Sequence, residues 1–230
     1  AGITLPEGLQ SIGYNAFSWC SNLTSVALPN SLKAMDGNPF AGIKAKLSLS
    51  PDHPYFALVD GMLIDKGKKQ LVSCSYGSLA ENCVVPEGIL HIGDRAFNEC
   101  EDLTGISIPE GLQSIGYEAF SGCSSLTSIT LPNSLNTLSG NPFAGTKANL
   151  SLSPSHPCFA LVNGMLIDKG KKRLVSCSYG SLEKNCVVPE GILHIEDRAF
   201  DGCEDLTGIT LPKGLQSIGY SAFSGCSSLK

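Results

Sequence analysis

The sequence predicts an α/β repeat solenoid, and three observations carry the prediction. The chain is written twice, since residues 5–107 and 108–210 agree at 81 of 103 positions. A step of 23 residues runs inside that period, marked by an apolar residue and proline at Leu5-Pro6, Leu28-Pro29, Val85-Pro86, Ile108-Pro109, Leu131-Pro132, Val188-Pro189 and Leu211-Pro212. Apolar residues also recur at fixed places in each unit, and seven of the nine phenylalanines share one register: Phe17, Phe40, Phe97, Phe120, Phe143, Phe200 and Phe223. A 23-residue unit cannot bury its own apolar side; stacked on copies of itself, each apolar position becomes a ladder.

Residues 1–230 then form one solenoid of nine units: 5–27, 28–50, 51–84, 85–107, 108–130, 131–153, 154–187, 188–210 and the incomplete 211–230. The pattern is already running at the first residue and still running at the last, so the chain reads as a piece of a longer array. Coils joined by strand pairing rise about 4.8 Å each, giving a stack roughly 40 Å long.

Within a coil, "LTSITLP" from Leu126 is rich in β-branched residues and ends in proline, so it predicts a strand whose pairing stops at Pro132. "LQSI" from Leu112 predicts a second short strand on the opposite side. "YEAFSGC" predicts a tight helical turn, punctuated by glycine. The 34-residue units differ. "YFALVDGMLIDKGKKQLVSC", Tyr55 to Cys74, places apolar runs around a charged tip at Asp65 to Lys69, and predicts a β-hairpin growing out of the coil, repeated at Cys158 to Cys177.

The formal net charge of −5 argues against an electrostatic nucleic-acid binder. No apolar run reaches the ~18 residues of a membrane helix, so this segment predicts no membrane insertion. With no CxxC pair, a structural zinc site is not expected, nor is any cofactor. "GMLIDKGKK", from Gly61, is one residue too long between glycines for a phosphate loop and has Lys69 where serine or threonine is required. "SLEK", from Ser181, has the spacing of a catalytic Ser-x-x-Lys, but its copy reads "SLAE". The four histidines, His53, His91, His156 and His194, are two positions copied twice and predict surface or loop packing. No catalytic residue is assigned.

The unit "IPEGLQSIGYEAFSGCSSLTSI" resembles the BspA-like class of leucine-rich repeats, and "VDGMLIDKGKKQLVSCSYG…VVPEG" looks like the insert common in that class. The resemblance covers essentially the whole chain. The departures are the units from Leu28 and Leu131, which carry "GNPFAG" and put Ile43 and Thr146 where cysteine would stand. The resemblance implies a leucine-rich-repeat right-handed superhelix with a parallel β-sheet on one face, short strands and helical turns on the other, and two inserted β-hairpins. It implies a secreted or cell-surface protein of bacteria or some protists. Its expected role is a non-catalytic, adhesin-like module that binds a host or neighbouring-cell surface or extracellular-matrix protein or glycan. The alternative is a structural spacer that presents other domains.

Five cysteines, Cys20, Cys100, Cys123, Cys203 and Cys226, share one repeat register and predict a buried ladder. Cys74 and Cys83, like Cys177 and Cys186, are nine residues apart, which leaves both a local disulfide and buried thiols open. On the strand face, alternation points Ser25 and Ala27, Ser48 and Ser50, Gly105 and Ser107, Ser128 and Thr130, Ser151 and Ser153, and Gly208 and Thr210 outward, a small, uncharged surface. The candidate binding surface lies elsewhere. It comprises the insert tips Lys66, Lys68, Lys69 and Lys169, Lys171, Lys172, and Trp19, which replaces a glycine seen at Gly122 and Gly225. Exposed aromatic and charged side chains supply the anchors that small residues lack.

Overall fold

The computed structural model describes residues 2–74, 79–177 and 181–230. It is a β-solenoid of short, mostly parallel strands. Gly2–Thr4, Ser25–Ala27 and Lys46–Ser48 pair in parallel on one face, followed by Asn82–Val84 with Gly105–Ser107, Ser128–Leu131 with Asn149–Leu152, and Asn185–Val187 with Gly208–Thr210. The opposite face carries two-residue strands, among them Ser11–Ile12 beside Ala34–Met35, and His91–Ile92 beside Ser114–Ile115 beside Thr137–Leu138. In most of these pairs the partner lies 23 residues away, as in His91 with Ser114.

One register differs from the sequence reading. Ser25 pairs with Lys46 and Ala27 with Ser48, and likewise Ser128 pairs with Asn149 and Thr130 with Ser151. The "GNPFAG" coils reach their strand two residues early, because they lack the extra turn that follows cysteine in the other coils. Lys46 and Asn149 therefore face outward, while Ser50 and Ser153 leave that row.

The expected helical turns are absent: no α-helix forms among the described residues, and the architecture is all-β. Residues 13–20 instead run as successive turns, with the amides of Ala16, Ser18 and Cys20 bonded three residues back. Asn15 at φ 57° and Trp19 at φ 64° interrupt the right-handed conformation that a helix must sustain. The amides between them donate across coils, Phe17 to the Pro39 carbonyl at 2.9 Å and Phe120 to the Pro142 carbonyl at 2.8 Å. Phe97, Phe120 and Phe143 stack at centroid separations of 5.0 and 5.9 Å.

The inserts are not hairpins but three antiparallel strands, Phe56–Val59, Met62–Asp65 and Gln70–Cys74, copied as Phe159–Val162, Met165–Asp168 and Arg173–Cys177. The third strand pairs in parallel with His91–Ile92 or His194–Ile195 and so joins the short-strand sheet. The extra turn is Asp60-Gly61, copied as Asn163-Gly164, with both residues at positive φ. That is the two-residue hairpin turn that Asp-Gly and Asn-Gly favour. Nor do the inserts project from the coil. Phe56, Leu63 and Val72 pack into the core of residues 12–47, whereas Met62, Ile64, Leu71 and Cys74 pack into the next core. Phe159, Leu166 and Val175 close that second core, and Met165, Ile167, Leu174 and Cys177 open the third. Each insert is a septum buried on both faces, which is why its strands read as continuous apolar runs. A bulge at Val72 and Ser73 opposite Leu63 lets both faces keep their apolar side chains.

Two changes test this packing. Phe120→Ala, at a fully buried rung, should cost about 3–5 kcal/mol, while Ser128→Ala on the exposed strand face should leave the melting temperature unchanged. The buried Ser73 hydroxyl finds no hydrogen-bond partner among the described residues, so Ser73→Ala should raise stability by about 1 kcal/mol in denaturant titration.

Candidate functional site

The lysine tips are built from the turn that joins the second and third strands of each insert. The Asp65 carboxylate accepts the Lys68 amide at 2.9 Å, and Asp168 accepts that of Lys171 at 3.0 Å. Lys69 and Lys172 each turn the chain at φ 50°. All six lysines are exposed, but they are not equivalent. Lys66 Nζ donates to the His53 carbonyl at 2.5 Å and Lys169 Nζ to that of His156 at 2.6 Å, so these two tie the tip to the chain before it. Lys68 Nζ lies 3.7 Å from Asp65.

Of the expected surface or loop packing, His53 and His156 take the second: they stand in the loop before each insert and are wholly buried. Nε2 of His53 donates to the Pro29 carbonyl at 3.0 Å and Nδ1 accepts the amides of Tyr55 and Phe56, an arrangement that needs the neutral ring. It pins the start of the insert to the coil before it. His91 and His194 bond to Ser114 and Ser217 in the next coil.

Trp19 is 68% exposed and lies against Gly42 of the neighbouring coil. It belongs to the row of turns, whereas the lysines lie at the end of the second sheet, and no described contact joins them. On the strand face the structure adds Val84 and Val187, exposed by 65% and 58%, which the sequence reading passed over. They sit one position beyond Cys83 and Cys186, where alternation alone would have placed them outward.

The cysteines are free thiols, and the local pairs Cys74–Cys83 and Cys177–Cys186 are not bridged. Cys100, Cys123 and Cys203 are buried as the ladder expected; Cys20, in the first coil, is exposed. Burial pushes the Cys83 thiol up to about 12 and that of Cys186 to about 11. Such thiols are poor nucleophiles at neutral pH.

An ion network on the row of turns was missed. Glu118 is buried and bonded to Arg95 Nε at 2.7 Å and Nη2 at 2.6 Å, and to Arg198 Nη1. Arg198 reaches it over the coil of Gly140 and Asn141, and is itself held by Asp201 at 2.6 Å. Burial pushes the Glu118 carboxyl up, but the hydrogen bond from Arg95 and the charges of both arginines outweigh it and hold the group below its ordinary range. In the first copy the residue is Asn15, and Arg95, while held by Glu118, also stacks on the Tyr14 ring, 5.5 Å from its centroid. Among the described residues, no three His, Cys, Asp or Glu side chains converge as a metal site.

A stack of parallel-paired coils with leucine and phenylalanine ladders is a leucine-rich-repeat solenoid. The chain belongs to the BspA-type leucine-rich repeat family, whose model matches six copies over residues 1–50, 73–156 and 176–230. Its fold is similar to that of the pneumococcal vaccine antigen PcpA (TM-score 0.64, 22% identity), with all of this chain aligned to 59% of that one. It is also similar to a leucine-rich repeat protein of Eubacterium ventriosum (0.64, 19%) and a leucine rich cell surface protein of Faecalibacterium prausnitzii (0.61, 18%). All of this chain aligns in both, to 65% and 68% of their lengths. The chain thus spans less than two thirds of the first two. No curated protein matches it in sequence.

Because Glu118 is depressed in the folded state, its contribution to stability is present above the unfolded carboxylate value near ~4.3 and is lost as pH falls through its lower folded value. Glu118→Gln should therefore destabilise by about 2–3 kcal/mol at pH 7, and pH-dependent melting should show the gap closing below about pH 4.

Proposed function

We propose that this chain is a non-catalytic binding module of a secreted or cell-surface, adhesin-like protein. Its partner in this reading is a protein or glycan of a host or neighbouring cell, met at the insert tips, with Trp19 as a further contact. The observation that carries the reading is the matched build of the two tips. Each is pinned by an aspartate to the turn amide and by a lysine to the histidine carbonyl, and each holds its remaining lysines in solvent on a septum rooted in two cores. Rigid, repeated, weak contacts add by multivalency. The cell-surface description of the Faecalibacterium neighbour and the vaccine-antigen description of the pneumococcal one support the location. The net charge of −5 speaks against nucleic acid as the partner.

The spacer reading draws on a different observation, the duplication at 81 of 103 positions, since a spacer needs length rather than distinct surfaces. Binding of the immobilised chain to extracellular-matrix proteins, mucins and glycans separates the two. The module reading expects binding that falls at least about tenfold when Lys68, Lys69, Lys171 and Lys172 are changed together to serine. Absence of binding by the parent chain would favour the spacer, and equal binding by both proteins would take the contacts off the tips.

A further inference from the structure

The two super-repeats differ at 22 of 103 positions, and four of them meet at one place. A groove of about 360 Å³ opens where the first block meets its septum, lined by Met35, Asp36, Lys68, Gln70, Gly93 and Asp94 among others. The same ground in the second copy belongs to Leu138, Ser139, Lys171, Arg173, Glu196 and Asp197. There the Arg173 guanidinium fills the seam with its side chain only 10% exposed. Its Nε bonds Asp168 at 3.1 Å, Nη1 bonds Glu196 at 2.7 Å, and Nη2 bonds the Leu138 carbonyl at 2.8 Å. That carbonyl lies on the edge strand of its sheet, where none of the described strands supplies an amide.

The first seam keeps two of the three acceptors, the edge-strand carbonyl and the aspartate, and lacks the arginine. Met35 occupies the matching edge strand, and Asp65 takes the place of Asp168. Gln70 replaces the arginine, and Gly93 replaces the glutamate beside it. A Cβ at Gly93 would lie 2.7 Å from Gln70 Nε2, so the glutamine amide rests on the backbone where the second seam has a carboxylate. In exchange the first seam gains an exposed carboxylate at Asp36, where the second has serine, and keeps Asp94.

We infer that the first seam is a binding site for an arginine side chain presented by a protein partner. The second seam shows, within the same molecule, the group this architecture accepts. A planar guanidinium carries several donors in a fixed fork and so serves a carbonyl and carboxylates set around it; an ammonium is a single point of charge. A second copy of the chain is not the source. Its three arginines, Arg95, Arg173 and Arg198, are all held in ion pairs. The inference deepens the binding-module reading and rests on it for a macromolecular partner, but it uses a different surface from the lysine contacts.

The test is an NMR titration of the whole chain with N-acetyl-Gly-Arg-Gly-amide, beside its lysine and citrulline counterparts. The arginine peptide should move the amides of Asp36, Gln70, Gly93 and Asp94 with a Kd on the order of 1–10 mM. Lysine should bind at least about threefold more weakly and citrulline not at all. Changing Gln70→Arg and Gly93→Glu together rewrites the first seam as the second and should abolish the response while leaving the melting temperature at or above its parent value. Lys68→Ser removes the competing cation and should tighten arginine binding by about two- to fivefold. The lysine-tip reading expects the opposite sign for that variant, a weaker hold on the extracellular partner, so the two readings fail separately. Equal response to citrulline, shifts away from the seam, or an unchanged response after the double change would overturn the site.

Discussion

Each block of coils has an apolar interior that must be closed at the point where the regular ladder is interrupted, and the septum supplies that closure. Its three strands are apolar on both faces because each face finishes a different core: Phe56, Leu63 and Val72 on one side, Met62, Ile64 and Leu71 on the other. Sheets covered on both sides carry unbroken apolar runs rather than alternation, and "GMLID" and "QLVSC" read that way. The bulge at Val72 and Ser73 follows from the same demand, since strict alternation would turn a polar residue to one core and an apolar one away from it. The buried hydroxyl of Ser73 is the residue of that compromise.

The row of turns meets a second demand, that every amide in a tightly wound coil find an acceptor. It is met by donating to the neighbouring coil, and the backbone is bent for it by residues at positive φ, among them Asn15, Trp19, Glu99 and Glu118. Glycine takes that conformation without strain at Gly122, Gly202 and Gly225. The side chains placed there point into solvent or along the row, which puts Trp19 on the surface and Glu118 between two arginines.

Much of this was legible because repetition turns one observation into several. The strand "LTSIT", the short strand "LQSI" and the phenylalanine register follow from composition and period. The structure pairs the short strands and stacks the rings at the expected 23-residue step, and shifts "LTSIT" by two residues against the coil that follows. The helical reading of "YEAFSGC" failed because local spacing does not reveal amides that donate to another coil. The septum was read as a hairpin because Asp60-Gly61 was absorbed into an apolar run, although the dipeptide and its copy Asn163-Gly164 are among the plainest turn signals known. The lysines of the tips were legible; that Lys66 and Lys169 are spent on histidine carbonyls was not, since those bonds span 13 residues. The Arg95–Glu118–Arg198 network joins residues up to 80 apart, beyond what spacing shows.

The septum also sets an order of events for a chain made from its N-terminus. Coils in a solenoid contact mainly their neighbours, so winding can follow synthesis. The block of residues 12–47 nevertheless keeps one end of its core wet until Cys74 is available, because Phe56, Leu63 and Val72 are its lid. The same strands then offer Met62, Ile64 and Leu71 as a ready floor for the coils that follow. Each insert is at once the last piece of one block and the template for the next, so the array grows in closed instalments rather than as an open ribbon.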